Sequence, residues 1–460
     1  MPFDVHLCIS IYLAMNATDP RACGALCDQC GLRDRRAGGP VFGEVNDGAK
    51  YVVVGEYPDK VATEIGHVFV GPSGNELMHA VRVAGVNRKE VHWTNAVLCR
   101  PPADEMSKVL TSIRKENKRR TAAAKQAKVA PQLLLDPVTA CRPRLVNELR
   151  TWGVNDVLTL GGRGFYGVAQ HYGEPDENGR AKEPGVTKIR GAPVHGDLSS
   201  LGQFLYVDPD DPPRCQDALR LNVLPTLHPD FVLHARRYTK VFRYDVAFAF
   251  RWFRGDVEWV EPLRIFTPTP AQLRSFLLHE RRRFWLYDVE TDAKESLTAK
   301  LRCVGIAALA EDGQPDVVYI VPFLSIDGHS RFYSYPDEME ICDILRTFFT
   351  DRTRLKAGHN AGIYDAILAR RYFGVDVEPL IDSIPLHKGV DSELPHNLGF
   401  VATMHTPIPK AWKVDHTALN AKTNHDLHVY CGNDCIINAR IIEPLADLVQ
   451  KRGQEKAVWV

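Results

Sequence analysis

The chain has 460 residues, 45% hydrophobic and 25% charged, a composition of compact globular domains that excludes a collagen-like or largely disordered protein. Lys plus Arg and Asp plus Glu both number 57, so net charge neither demands nor forbids a polyanionic partner, and local charge must decide. No stretch approaches the ~18 apolar residues of a membrane span. The opening "MPFDVHLCISIYLAM" lacks the basic start of a signal peptide, and Asp4 and His6 interrupt its short apolar run. A soluble, cytoplasmic protein with no membrane partner is expected. Its eleven cysteines are then expected to be reduced or metal-bound rather than paired as disulfides.

In chain order, the first signal is "CDQCGLRDRR" (27–36), whose C-x2-C pair reads as half of a zinc or iron–sulfur site. "AKYVVVGEYP" (49–58) predicts a buried strand ending in a Gly/Pro loop. "GNELMHAVRVAG" (74–85) has helical periodicity and a glycine stop. "EVHWTNAVLCRPP" (90–102), "VNDVLTLGG" (154–162) and "RLNVLPTLHP" (220–229) repeat the strand-then-loop theme. Strands alternating with helices imply an α/β sheet covered on both faces, with the ligand site in the loops beyond the strands' carboxyl ends. Between them, residues 107–128 carry eight Lys/Arg against one Glu. This segment reads either as a solvated helix or disordered insertion, or as an element that contacts phosphates through Arg114, Lys115, Lys118, Arg119 and Arg120.

Near residue 258 the pattern restarts. "LRIFT" is strand-like, and a helix is expected in "PTPAQLRSFLLHE" (268–280). Three strands follow, in "RFWLYDVET", "LRCVGIAALA" and "DVVYIVPF", with connections that suit antiparallel hairpins. From "PDEMEICDILRTFF" onward helix dominates. Two domains are therefore expected, 1–257 (with a basic insertion at about 103–138) and 258–460.

The second half carries the sharpest chemical signal. In "FWLYDVETD" (284–292) an apolar strand delivers Asp288, Glu290 and Asp292 at period two, which places all three on one face. Like charges held together and partly buried cost several kcal/mol unless something neutralises them. A divalent cation answers that cost. "AGHNAGIYDAILARRYFG" (357–374) adds Asp365 at a helix start, with His359 and Asn360 before it. "HVYCGNDCIINARIIEPL" (428–445) adds Tyr430 and Asp434, four apart and so on one helix face. Asp365 follows Glu290 by 75 residues, and Asp434 follows Asp365 by 69.

This order of D-x-E, N-x4-D and Y-x3-D resembles the 3′–5′ exonuclease domain of the DEDD type, Tyr variant, found in family A DNA polymerases. "HNLGFVATMHT" (396–406) and "WKVD" (412–415) resemble segments of the phage enzymes. The resemblance, over about 262–450, implies an RNase H-like (DnaQ-type) fold with a mixed sheet. It implies a metal site of Asp288, Glu290, Asp365 and Asp434 for two Mg²⁺ or Mn²⁺, since an all-oxygen donor set suits hard cations. Asp288, Glu290 and Asp434 would hold the metal that activates water. Asp288 would reach the second, which Asp365 supports through its waters, and Tyr430 would orient the attacking water. His359 is expected to be structural.

In the first half, "VVVGEYPDKVATEIGHVFVGPSGNEL", "TNAVLCRPP", "CRPRLVNELRTWGVNDVLTLGG" and "LPTLHPDF" resemble family 4 uracil-DNA glycosylases, over about 20–240. That implies a three-layer α/β/α domain and a [4Fe-4S] cluster on Cys27, Cys30, Cys99 and Cys141, with Cys23 a substitute ligand and a four-thiolate zinc site the alternative. It also implies a base-flipping pocket in which Phe69 stacks on uracil, Asn95 bonds its edge, His228 stabilises charge on its oxygen and Glu56 activates or positions water. Tyr57, Asp59 and Asp230 stand where the family has small residues or serine. They are expected to crowd the base and repel phosphate, leaving excision weak or absent.

Together the two resemblances imply the N-terminal portion of a phage-type family A DNA polymerase, working on DNA in an infected bacterial host. The chain ends 26 residues after Asp434, without room for fingers, palm and thumb, so a polymerase on the same or a separate chain is the expected partner. The expected function is metal-dependent proofreading hydrolysis of DNA 3′ ends, with a DNA-gripping glycosylase-like domain. The alternatives are an active glycosylase/exonuclease repair protein and a mainly non-catalytic DNA-binding and polymerase-docking module.

Overall fold

A computed structural model describes residues 19–169, 185–207, 212–213, 217–282, 284–408 and 421–454. The segments "MPFDVHLCISIYLAM" and "WKVD" (412–415) lie outside the described residues. The chain divides into two compact units, Met1–Val257 and Glu258–Val460.

The first unit is built on a six-stranded sheet of β1 (Tyr51–Gly55), β2 (Val91–Asn95), β3 (Asp156–Leu160), β4 (Val194–Leu198), β5 (Phe204–Tyr206) and β6 (Leu219–Thr226), in the order β2-β1-β3-β6-β4-β5. The first four in that order are mutually parallel; β4 runs antiparallel to β6, and β5 antiparallel to β4. β1 and β2 are buried along their whole length, as strands covered on both faces must be. The chain leaves β1 toward β2 on one side and adds β3 on the other, which opens a crevice at the carboxyl ends of β1 and β3. The edge pair β4 and β5 escaped sequence reading. β4 is "VHGDL", with no apolar alternation, because His195 and Asp197 are buried against Asn222 and Arg220 of β6.

The basic segment is a 22-residue helix, Met106–Ala127, rather than a disordered insertion. Met106, Val109 and Ile113 supply its buried stripe. They pack with Leu32, Val97 and Cys141, so this helix covers the cysteine region of the unit.

The second unit holds a mixed sheet of β7 (Leu263–Phe266), β8 (Trp285–Thr291), β9 (Leu301–Leu309), β10 (Pro315–Pro322), β11 (Lys356–Gly358) and β12 (Leu380–Asp382), in the order β12-β11-β8-β9-β10-β7. β8, β9 and β10 are antiparallel neighbours, and β11 and β12 are parallel to β8. This is the RNase H-like arrangement, with β7 added parallel to β10 at one edge. An aromatic-rich core of Phe276, Trp285, Tyr287, Phe348, Phe349 and Phe373 lies under the sheet. The 28-residue helix Asn424–Lys451 crosses β9, and its start is fixed by a capping box between Thr423 and Asp426. A side chain at Gly305 would come within 2.7 Å of Cys435 Sγ and 2.8 Å of Cys431 Sγ. The glycine therefore lets helix and strand approach closely at the level of Asp288, its partner across the β8–β9 ladder. Among the described residues, no helix is long and apolar enough to cross a membrane.

Candidate functional sites

In the second unit the acids sit where strand and helix meet. Asp288 is half-buried and Glu290 buried on β8, two residues apart and on one face. Asp434 is buried on the Asn424–Lys451 helix, one turn after the half-buried Tyr430. Asp365 begins the helix Asp365–Phe373 and accepts a hydrogen bond from the Val289 amide at 3.0 Å, which pins it against the acid strand. Burial first, then the charges of Glu290, Asp434 and Asp365, push the Asp288 carboxyl well above the usual range. Burial pushes Asp365 up to about 8, against the hydrogen bond from Val289. Buried carboxyls that resist ionisation, Asp288 and Asp365, beside further acids give the electrostatic profile of a cation site.

Asp292 does not join them. The ladder shifts between Glu290 and Thr291, β8 ends, and Asp292 turns out to solvent, where it accepts the Lys300 amide at 2.7 Å. A bulge resets the alternation on which a three-acid face depends. His359 bonds Ser383 Oγ at 2.8 Å. Asn360 is a turn residue at φ 63°, its amide held by Asp382 Oδ1 at 3.0 Å. Asp382 is an acid that sequence reading missed. It also takes the Gly362 and Ile384 amides and caps the helix Ser383–Val390. Its charge adds to the upward push on Asp365. The only signal for it was an aspartate before a serine at a helix start.

In the first unit, Cys27, Cys30, Cys99 and Cys141 line one cavity, walled by Leu32, Val97, Leu98 and Ala140, with Arg33 and Arg36 also in the lining. Three segments deliver them. Cys27 and Cys30 flank a single 3₁₀ turn, tied to the Cys141 helix (Pro137–Trp152) by the Leu26 amide on the Ala140 carbonyl at 2.8 Å. Cys99 follows the β2 loop and bridges to Pro40. Burial pushes the Cys30 thiol up to about 12 and Cys99 to about 11. Four thiols with apolar walls and two guanidinium groups nearby fit a centre that takes four thiolates and carries net negative charge. Cys23 is not in the lining; its carbonyl accepts from Asn147 Nδ2 at 3.1 Å.

Glu56, Asn95 and His228 stand at the carboxyl ends of the parallel strands β1, β2 and β6. Glu56 enters the β1–β3 crevice and accepts from the Arg163 amide (3.2 Å) and from Arg163 Nη1 (2.9 Å). A side chain at Gly161 would lie 2.4 Å from Glu56 Oε1, so the glycine makes room for this carboxylate. Asn95 and Phe69 meet over Gly55, where a Cβ would sit 2.3 Å from Asn95 Oδ1 and 2.8 Å from the Phe69 ring. Phe69 is held at φ 53° and packs edgewise on Trp93 at 5.6 Å. Arg144, fully buried and ion-paired with Glu148, donates to the carbonyls of Asn95 (2.6 Å) and Ala96 (3.2 Å) and so fixes the strand end that carries Asn95. His228 Nδ1 accepts the Asp230 amide at 3.3 Å, which places the ring hydrogen of the neutral imidazole on Nε2.

Three expectations for this unit are corrected. Asp59 caps the helix Lys60–Ile65 through the Ala62 amide (2.7 Å) and takes the Ser73 hydroxyl (3.0 Å). Tyr57 packs on the core beside Cys30 and Cys99 and donates to the Asp104 carbonyl at 2.9 Å. Both side chains therefore have structural partners, and burial raises the Tyr57 phenol to about 12. On the basic helix, Arg114, Lys115, Lys118 and Arg119 are exposed. Arg120 is only half exposed; it pairs with Glu116 (3.1 Å) and donates to the Gln132 carbonyl (3.0 Å), so it secures the following loop.

The cysteine cavity and the strand-end pocket belong to an α/β unit whose residues 42–249 match the family model of the uracil DNA glycosylase superfamily. The type-4 uracil-DNA glycosylase of Pyrobaculum aerophilum is 30% identical over 138 residues, 30% of this chain and 62% of that protein. The Thermotoga maritima type-4 enzyme is 25% identical over 210 residues, 46% of this chain and 79% of that protein. The chain thus spans less than two thirds of the length of the Pyrobaculum relative. Among solved structures, Brucella melitensis NrnC bound to pGG is similar at 16% identity and a TM-score of 0.33, over 43% of this chain and 87% of that one. Escherichia coli RNase D, an exoribonuclease, is similar at 16% identity and a TM-score of 0.31, over 43% of this chain and 48% of that one.

Proposed function

We propose that the second unit is a metal-dependent 3′–5′ exonuclease acting on DNA ends, and that the first unit grips or inspects DNA. The observation that carries this reading is the convergence of Asp288, Glu290, Asp365 and Asp434 from one strand and two helices. Such a set is costly without cations, and it is built on a mixed RNase H-like sheet. Two Mg²⁺ or Mn²⁺ would supply an activated water and stabilise the leaving 3′ oxygen. The chain's own part is to hold Asp288 and Glu290 on rigid β8 and to bring Asp365 against it through the Val289 amide. Tyr430 is presented one turn before Asp434. DNA is preferred to RNA because residues 42–249 of the companion unit match the uracil DNA glycosylase superfamily model. The test is release of nucleotides from matched and mismatched 3′-labelled DNA, and from the same sequence as RNA, with and without Mg²⁺. Mg²⁺-dependent loss from frayed DNA ends is expected, and no release from DNA would refute the reading.

The first unit is read as carrying a [4Fe-4S] cluster on Cys27, Cys30, Cys99 and Cys141, supported by their shared cavity and flanking arginines. By the resemblance to phage enzymes, the partner is a family A polymerase on the same or a separate chain. A second reading, active uracil excision, is favoured by one observation. Tyr57 and Asp59 have hydrogen-bond partners within the fold, while Phe69, Asn95, Glu56 and His228 keep the strand-end positions a flipped base would need. Measuring free uracil from uracil-containing DNA separates the readings. Release that is lost in Asn95→Ala establishes excision.

A further inference from the structure

One side chain at the acid site has no place in an all-oxygen metal site. Cys431 lies between Tyr430 and Asp434 on the Asn424–Lys451 helix, and it is fully buried. Its Sγ, a carboxylate oxygen of Asp288 and one of Glu290 all lie within 4.8 Å of one another. The placement is built into the fold. Gly305, opposite Asp288 on β9, leaves only enough room for the Cys431 and Cys435 sulfurs, so the helix cannot rotate the thiol away. Cys303, the ladder partner of Glu290, and Cys435 both lie within hydrogen-bond reach of Cys431, and all three cysteines are reduced. The Cys431 thiol is directed at the Asp288 carbonyl at 3.8 Å, a weak contact that a stronger ligand would replace.

We propose that Asp288, Glu290 and Cys431 form a mixed carboxylate–thiolate site that takes a thiophilic divalent cation, Zn²⁺ or Cd²⁺, in preference to Mg²⁺. Thiolate and two carboxylates match the soft-to-borderline preference of these ions, with Zn–S near 2.3 Å and Zn–O near 2.0–2.2 Å. Donor atoms within 4.8 Å of each other close onto such an ion by side-chain rotation. Mg²⁺ holds hard oxygen donors and gains nothing from sulfur. On binding, the S–H bond breaks, a metal–sulfur bond forms, and one proton leaves to solvent. The bound ion draws Asp288 and Glu290 away from the geometry that hydrolysis needs, so it inhibits. That consequence rests on the exonuclease reading; the binding does not.

The experiment uses the full chain and Cd²⁺ itself, titrated in Mg²⁺-free buffer and followed by thiolate-to-metal charge-transfer absorption. Cysteines elsewhere contribute equally to wild type and variants, so the difference spectrum is read. Wild type should show one equivalent more of this absorption than Cys431→Ala. Glu290→Gln, which keeps the thiol, should lose the same equivalent and decides the matter if Cys431→Ala fails to fold. Zn²⁺ inhibition of Mg²⁺-supported hydrolysis should weaken at least about tenfold without the thiol. Unchanged absorption in both variants, or displacement of wild-type Cd²⁺ by equimolar Mg²⁺, would overturn the proposal. Absorption that follows Cys431 and Glu290 in a chain with no Mg²⁺-dependent hydrolysis would uphold the cation site and refute the nuclease reading instead.

Discussion

Replacing Asp365 by asparagine should stabilise the metal-free second unit, although the aspartate is held by a hydrogen bond. In the fold its carboxyl titrates near 8, chiefly because it is buried, against 3.8 as the ordinary value. Between those values the unfolded chain has lost the proton and the folded chain keeps it, so stability falls as pH rises, by ~1.4 kcal/mol per unit. The window to pH 7 is about three units, giving a ceiling of about 4 kcal/mol for the penalty on this acid; a gain of about 1–3 kcal/mol is the order expected once the site relaxes. Asparagine keeps a carbonyl oxygen for the Val289 amide and loses only the charge. Hydrogen exchange of the Asp365–Phe373 helix and β8, from pH 5 to 8 without metal, should show wild-type opening growing easier with pH and Asp365→Asn opening nearly level. Mg²⁺ should protect wild type more than the variant, because a cation relieves a penalty the variant no longer has. Parallel pH profiles with equal Mg²⁺ protection would refute the claim that the cost of ionising this buried acid is what the cation answers.

Asp288→Ala should abolish Mg²⁺-dependent nucleotide release, while Tyr430→Phe should bind metal normally and hydrolyse more slowly; full activity of Asp288→Ala would remove the assignment. Chain purified without oxygen should be brown and carry about four iron and four sulfide per molecule, and Cys99→Ala should lose both. Stoichiometric zinc without iron would refute the cluster. Neutralising Arg114, Lys115, Lys118 and Arg119 together should weaken DNA binding and flatten its salt dependence, by about 0.7–0.9 in the log–log slope for each phosphate that is no longer neutralised. Neutralising Arg120 alone should instead loosen the loop around Gln132, seen as faster exchange there with an unchanged salt slope. Gly55→Ala should block base binding in the first unit by driving a methyl into Asn95 and Phe69, leaving exonuclease activity intact; retained uracil affinity would disprove the pocket's geometry.

The acid site was legible in the sequence because its parts follow local periodicities. Asp288 and Glu290 share a strand face by period two, and Tyr430 and Asp434 share a helix face at four. Those rules need no knowledge of tertiary packing, and the strand and helix assignments behind them agree with the fold. Asp292 failed because a bulge is a property of the ladder, visible only once β9 is paired. Arg120 looked like any other charge in a basic run, since nothing local announces that the Gln132 carbonyl is its partner.

The first unit shows the deeper limit. Tyr57 and Asp59 were read as obstacles from their chemistry and position in a pocket loop, yet a side chain's role depends on where its bond vectors lead. Asp59 is followed by a helix start, and an aspartate there serves the unsatisfied amides of the first turn, a role worth about 1 kcal/mol. Tyr57 packs half-buried beside the cysteine cavity, where its hydroxyl finds a carbonyl. Conversely, Arg144 and Arg163 drew no attention as isolated arginines. Yet one grips the carbonyl of Asn95 from the covering helix Pro137–Trp152, and the other clamps Glu56 in the β1–β3 crevice. Guanidinium groups drawn out of water persist only when most of their donors are matched, so each orders the backbone or carboxylate it meets. Positioning in this domain therefore comes from covered charge on the helices beneath the pocket, which motif spacing cannot reveal. A change at Arg144 should disturb Asn95 as surely as a change in the pocket itself.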